Sequence, residues 1–254
     1  MTGKIVRFLA GSVLASLATA SAWAQLAAPP PTHPEPPAAT KLIEPGPAVP
    51  DWLSYNYDRE RTGWNRGETA LSPKTVGRVQ PLWNTQLTTA SQALLLSTLT
   101  APVVVSGVST SDGSKDLVFS IGIDDVLSAV DANTGKIVWQ KSFPNTIKPL
   151  RPPSISCSNT EQATPIIDKA KGVIYFTTSD GNLRGAHLSD GSEALTPTQM
   201  VQPFSRNWSL NLVDNVVYTT AARGCGGSPK QPTEYGTVAA MDISDPAHPS
   251  LSRF

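Results

Sequence analysis

An all-β fold of repeated four-stranded sheets is what this sequence predicts. Three observations predict it. Short β-branched and aromatic runs alternate with turn residues, no segment sustains a 3.6-residue apolar period, and the chain resembles itself at an offset of 56 residues. The 23 prolines and 18 glycines favour turns over long helices. With 20 basic and 20 acidic side chains the formal charge is zero, which supports neither nucleic-acid binding nor an electrostatic hold on anionic lipid.

Residues 1–24 read as a secretion signal peptide. Lys4 and Arg7 form a basic start, Phe8 to Ala20 is apolar, and Ala22-Trp23-Ala24 offers a small-x-small cleavage site. The apolar run is short for a bilayer span, no second one follows, and no cysteine follows the cleavage site, so the mature chain is expected without a transmembrane segment or lipid anchor. The expected localisation is periplasmic or secreted. Residues 25–50 hold nine of the 23 prolines and read as an extended linker.

From Asp51 onward the runs APVVV, DLVFSIGI, KIVWQKSF, GVIYFTTS, NVVYTTA and GTVAAM read as strands, and LTTASQALLLSTLT (87–100) is the best helix candidate. DLVFSIG (116–122) matches GVIYFTT (172–178), and without a gap LSAVDANTGKIVW (127–139) falls on LRGAHLSDGSEAL (183–195). A third, looser copy starts at VVYTTA (216–221) and continues into TVAAMDISDP (237–246). Units of roughly 45–55 residues with four strands each predict blades of a β-propeller. Residues 51–254 then hold about four blades.

Ala129-Val130-Asp131-Ala132-Asn133-Thr134-Gly135-Lys136-Ile137-Val138-Trp139 resembles the tryptophan-docking repeat of quinoprotein-type β-propellers, the pyrroloquinoline quinone (PQQ) repeat. In this reading Gly135 permits a tight turn, Asp131 or Thr134 satisfies turn amides, Ala129 leaves room for a neighbouring blade's indole, and Trp139 offers a flat surface to the next blade. Residues 51–87, which include TALSPKTVGRVQPLW (69–83), resemble the stretch leading into the first blade of that superfamily. The resemblance implies a propeller of typically eight blades, so a truncated chain is expected. It also implies PQQ and calcium as cofactors, although the Cys-Cys pair and Gly-Gly-Glu segment of the dehydrogenases are not found here.

Other site chemistries are less well supplied. DANTGK mimics the opening of a calcium loop, but Ser142 stands where a bidentate Glu is required. The phosphate-loop spacing is absent, and His33, His187 and His248 are scattered, so no metal site is expected. No catalytic residue can be named. Asn207-Trp208-Ser209 matches a glycosylation sequon. After export, Cys157 and Cys225 would by default pair as a disulfide closing a loop of 68 residues, worth about 4 kcal/mol in the chain-entropy model. Two separate thiols are the alternative. Both cysteines fall in links on one end of adjacent blades, the end that holds the cofactor in quinoprotein dehydrogenases, where Arg151 and Arg223 could reach an anionic ligand.

The leading expectation is an exported propeller acting as a binding or scaffold module for an unidentified protein or small-molecule ligand. The alternative is the N-terminal part of a PQQ- and calcium-dependent alcohol or sugar dehydrogenase. A third reading is a propeller for outer-membrane protein assembly, a role that would favour a lipid-modified N-terminus.

Overall fold

The structure is a computed structural model that describes residues 51–87, 99–122, 124–148, 163–222 and 236–254. The signal peptide, the proline-rich linker, most of the helix candidate, and Arg151, Cys157, Arg223 and Cys225 lie outside those residues. A single 3-10 turn, Val76–Arg78, is the only helix among the described residues.

Among the described residues three antiparallel meanders follow one another, where the sequence predicts about four blades. The first blade holds β1 (Val103–Thr110), β2 (Gly113–Ile121), β3 (Val126–Asp131) and β4 (Ile137–Ser142). The second holds β5 (Ile166–Asp168), β6 (Val173–Thr177), β7 (Asn182–His187) and β8 (Glu193–Gln199). The third holds β10 (Asn211–Val213), β11 (Val216–Ala222), β12 (Thr237–Asp242) and β13 (Ser250–Arg253), with the short β9 (Arg206–Asn207) also paired to β11. The fold is that of a β-propeller of four-stranded blades.

The middle blade shows why its strands are so apolar. All five residues of β6 are buried, and they alternate between two cores. Ile174 and Phe176 join Leu117, Phe119 and Leu127 of the first blade, whereas Val173 and Tyr175 join Val217, Ala239 and Met241 of the third. A sheet covered on both faces needs a continuous hydrophobic run. Each fully buried side chain of this size contributes about 1.5–3 kcal/mol.

Paired tryptophans fasten the outer edges. Trp83 Nε1 donates to the carbonyl of Ala132 at 2.8 Å, and Trp139 Nε1 donates to that of Leu188 at 3.0 Å, each spanning 49 residues. Each indole lies flat on a glycine of the following unit. A Cβ on Gly135 would stand 2.7 Å from the Trp83 ring, and one on Gly191 would stand 2.8 Å from that of Trp139. Trp83 through Leu87 therefore takes the place, on the first blade, of a preceding blade's outermost strand; Gln140 Nε2 donates to Leu87 at 3.0 Å. At the third blade the indole is replaced by buried Leu195, and the junction is held by the Thr196 amide on the Pro246 carbonyl at 2.9 Å.

The lead-in segment runs along the inner edges of all three blades. Trp52 exchanges two backbone bonds with Val104 of β1, the Leu53 carbonyl accepts from Ile167 of β5 at 2.9 Å, and Arg61 donates to the Ser209 hydroxyl just before β10. Between these anchors Asn56, Tyr57 and Arg61 take left-handed backbone angles, a costly arrangement for residues with side chains.

Candidate functional site

A meander of four strands puts its β2–β3-type turns and its interblade links at one end, and its other turns at the opposite end. The link end carries the denser polar network. Asp125, in the β2–β3 turn, is 2% exposed and reaches into the second blade. Its carboxylate accepts from the Ser179 amide at 2.9 Å and from the Ser179 hydroxyl at 2.5 Å. Burial pushes its pKa up to about 6, against the pull of Ser179, with Asp180 adding to the rise and Arg184 opposing it.

Asp180 behaves in the opposite way. Burial works against its charge, yet bonds from the Thr178 hydroxyl and the Asn182 amide, and the Arg184 guanidinium at 2.8 Å, hold it below the usual carboxylate range. Arg184 also donates to Thr178 and lies 5.3 Å from the Phe143 ring. Asn145, in the link leaving the first blade, donates to Ser179 at 2.9 Å. Asn207 donates to Thr177 at 2.8 Å, with both residues fully or almost fully buried. These groups satisfy one another.

The link between the second and third blades differs. Phe204 holds a left-handed backbone angle and bonds Ser179 through its amide. Three residues, Trp208 to Leu210, then face two on β11, so the inner strand bulges between β9 and β10. The bulge turns Trp208 outward, leaving it 58% exposed. Arg206 lies 5.6 Å from that indole, and among the described residues its buried Nε has no hydrogen-bond partner; neither has the buried Ser205 hydroxyl. A guanidinium with an unused donor beside an exposed flat ring can take a planar ligand with an acidic edge.

The residues singled out in the docking motif lie elsewhere. Ala129 is fully buried in the core between the first two blades and pairs with Trp139 across β3 and β4. Asp131 accepts from the amides of Asn133 and Thr134 at 2.9 and 3.1 Å, which with Lys115 keeps its carboxylate below the usual range against the effect of burial. Gly135 has a φ of +70° beneath Trp83. Thr134 places its hydroxyl on the Lys136 amide at 3.3 Å.

Reading the sequence alone passed over Arg206 and saw Asn207-Trp208-Ser209 only as a sequon. Asn207 is 1% exposed and bonded, so it offers no glycan acceptor in this fold. Among the described residues no group of three potential metal ligands gathers, and no helix is long and apolar enough to cross a membrane.

No protein family and no curated protein matches the chain. Solved structures do. Quinohemoprotein alcohol dehydrogenase ADHIIG from Pseudomonas putida HK5 is similar over 78% of this chain and 25% of its own, with 17% identity and a TM-score of 0.54. Quinohemoprotein alcohol dehydrogenase from Comamonas testosteroni is similar over 80% of this chain and 27% of its own, with 17% identity and a TM-score of 0.52. BamB from Moraxella catarrhalis is similar over 54% of this chain and 38% of its own, with 16% identity and a TM-score of 0.35. The chain thus spans about a quarter of the length of the dehydrogenases, and the likeness is one of fold.

Proposed function

We propose that this chain is an exported, periplasmic propeller module that binds a planar anionic small molecule at its link end, next to Trp208. The observation that carries this reading is the buried Arg206 Nε, without a partner among the described residues, beside the exposed Trp208 indole, with the Ser205 hydroxyl of the preceding residue likewise without one. Leaving such donors dry costs about 1–3 kcal/mol each, and an acidic oxygen of a ligand would remove that cost. PQQ, a flat ring system edged with carboxylates, fits this donor set, with Trp208 against the ring and Arg206 and Ser205 on a carboxylate. When bound, it supplies two-electron oxidation chemistry. Calcium ligands are not assigned, and the parts of Arg151, Arg223 and a Cys157–Cys225 disulfide at this end stay proposals.

Titrating the full chain with PQQ while following tryptophan emission tests the reading. Saturable quenching is expected, weakened about ten-fold in Arg206→Met and greatly reduced in amplitude in Trp208→Phe. Absence of quenching at high micromolar PQQ, or equal quenching in both variants, overturns it.

A second reading is supported by the fold shared with part of two alcohol dehydrogenases. Here the chain would be the N-terminal part of a PQQ- and calcium-dependent dehydrogenase. Dye-linked alcohol oxidation after adding PQQ and calcium separates the two, since a binding module alone shows none.

A further inference from the structure

At the opposite end of the molecule a cavity of 340 Å³ lies between the first two blades, lined by the β1 residues Ser106 and Ser109, by Lys169 and Lys171 after β5, by His187 at the end of β7 and by Ser189 after it. The repeat supplies its own control for one of these. The residue that ends the third strand is Asp131 in the first blade and Asp242 in the third, and each carboxylate accepts a backbone amide of the turn that follows. In the second blade the position is His187. Asp190 takes over the turn there, accepting from the Ser192 amide at 2.9 Å and the Ser192 hydroxyl at 2.6 Å. His187 is therefore released from a structural duty and stands at the cavity wall.

Most of the acceptors around this cavity are engaged. Both Asp51 oxygens are held by Lys169, at 2.7 and 3.0 Å, and one also takes the Ser106 amide and hydroxyl. One Asp190 oxygen holds Ser192, and those bonds, together with the nearby His187, keep its carboxylate below the usual range. Lys171 rests its ammonium on the neutral Asn215 at 2.7 Å, with Asp168 more distant at 3.9 Å. No carboxylate is among the described residues that line the cavity, and the lining side chains still able to donate are those of His187, Ser109, Ser189 and Lys171. The volume suits a small metabolite.

We infer that this cavity is a second binding site, separate from the link end, for a small organic anion that presents a carboxylate or phosphate group to His187, Lys171 and Ser189. The chain has three histidines, so the ring resonances resolve singly in a proton–carbon spectrum of the full chain. Succinate and inorganic phosphate are the probes, with glycerol as the neutral control. A saturable displacement of the His187 resonance by either anion is expected, with about ten-fold weaker binding in Lys171→Met. The anion that saturates at the lower concentration names the head group. Calorimetry on His187→Asp, which installs the residue of the other two blades, is expected to show a folded protein without anion binding. Failure of both anions to shift His187, equal displacement of the exposed His248, or an equal response to glycerol overturns the inference.

Discussion

Replacing Asp125 by Asn tests how the first two blades are joined. The folded protein binds the Asp125 proton more tightly than the unfolded chain does, since burial raises the pKa from 3.8 to about 6. The stability contributed by the protonated form is complete below 3.8 and is lost as pH rises through about 6. Two pKa units correspond to about 3 kcal/mol, held against the fold at neutral pH. Asn keeps the shape: its Oδ1 accepts the Ser179 amide, its Nδ2 donates to the Ser179 oxygen, and it tolerates the left-handed angle of +55°. Urea unfolding of the full chain between pH 4 and 8 is the assay. The variant is expected to match the parent near pH 4 and to exceed it by about 2–3 kcal/mol at pH 7.5. The difference matters because Asp51, Asp131 and Asp180 all have lowered values and lose their contributions as pH falls, which masks Asp125 in the parent curve alone. A variant curve parallel to the parent, or one lower at pH 7.5, refutes the reasoning.

Two further substitutions probe the outer edge. Gly135→Ala adds a Cβ 2.7 Å from Trp83 at a φ of +70°, and is expected to destabilise by at least about 2 kcal/mol in urea unfolding. Trp139→Phe keeps a ring against Gly191 but loses the bond to Leu188, so a loss of about 1 kcal/mol is expected, with about 2–3 kcal/mol for Trp139→Ala. Equal losses for the two Trp139 variants would mean that the indole N–H, not the packing, carries the contact.

The all-β architecture was legible because it is local. A strand buried on both faces must be a short apolar run, and a tight turn needs residues such as Gly135 and Gly191 at left-handed angles. The looser third unit was harder to read because Leu195 and Pro246 stand where the repeat has Trp and Gly, and the Thr196–Pro246 bond replacing the indole contact is made by main chain, which leaves no mark on composition. Asp125 is one of two adjacent aspartates, and its burial depends on Ser179, 54 residues away. The course of the lead-in segment is likewise set by partners up to 148 residues distant. Arg206 and Trp208 owe their setting to a bulge, and a bulge is a property of strand pairing, not of a residue run.

Apolar packing gives the stack its energy but no direction, so the angle between blades must come from polar contacts. The first two blades are joined at three separated places: Asp125–Ser179 at the link end, Trp139–Leu188 at the outer edge and, through the lead-in segment, Leu53–Ile167 at the inner edge. Three points that are not in line fix one rigid body on another. The second and third blades use a different set. The Thr164 amide and carbonyl bond Trp208 and Leu210 at the inner edge, Thr196 bonds Pro246 at the outer edge, and Lys171 bonds Asn215 at the end opposite the links. Two of these three are main-chain contacts that no side-chain substitution removes. Trp208 belongs to the first of them, so the ring proposed to carry the ligand is set by the backbone pairing that spaces the blades. A ligand wedged between Trp208 and Arg206 would therefore press directly on the second junction, and would reach the first only through the Phe204 amide on Ser179.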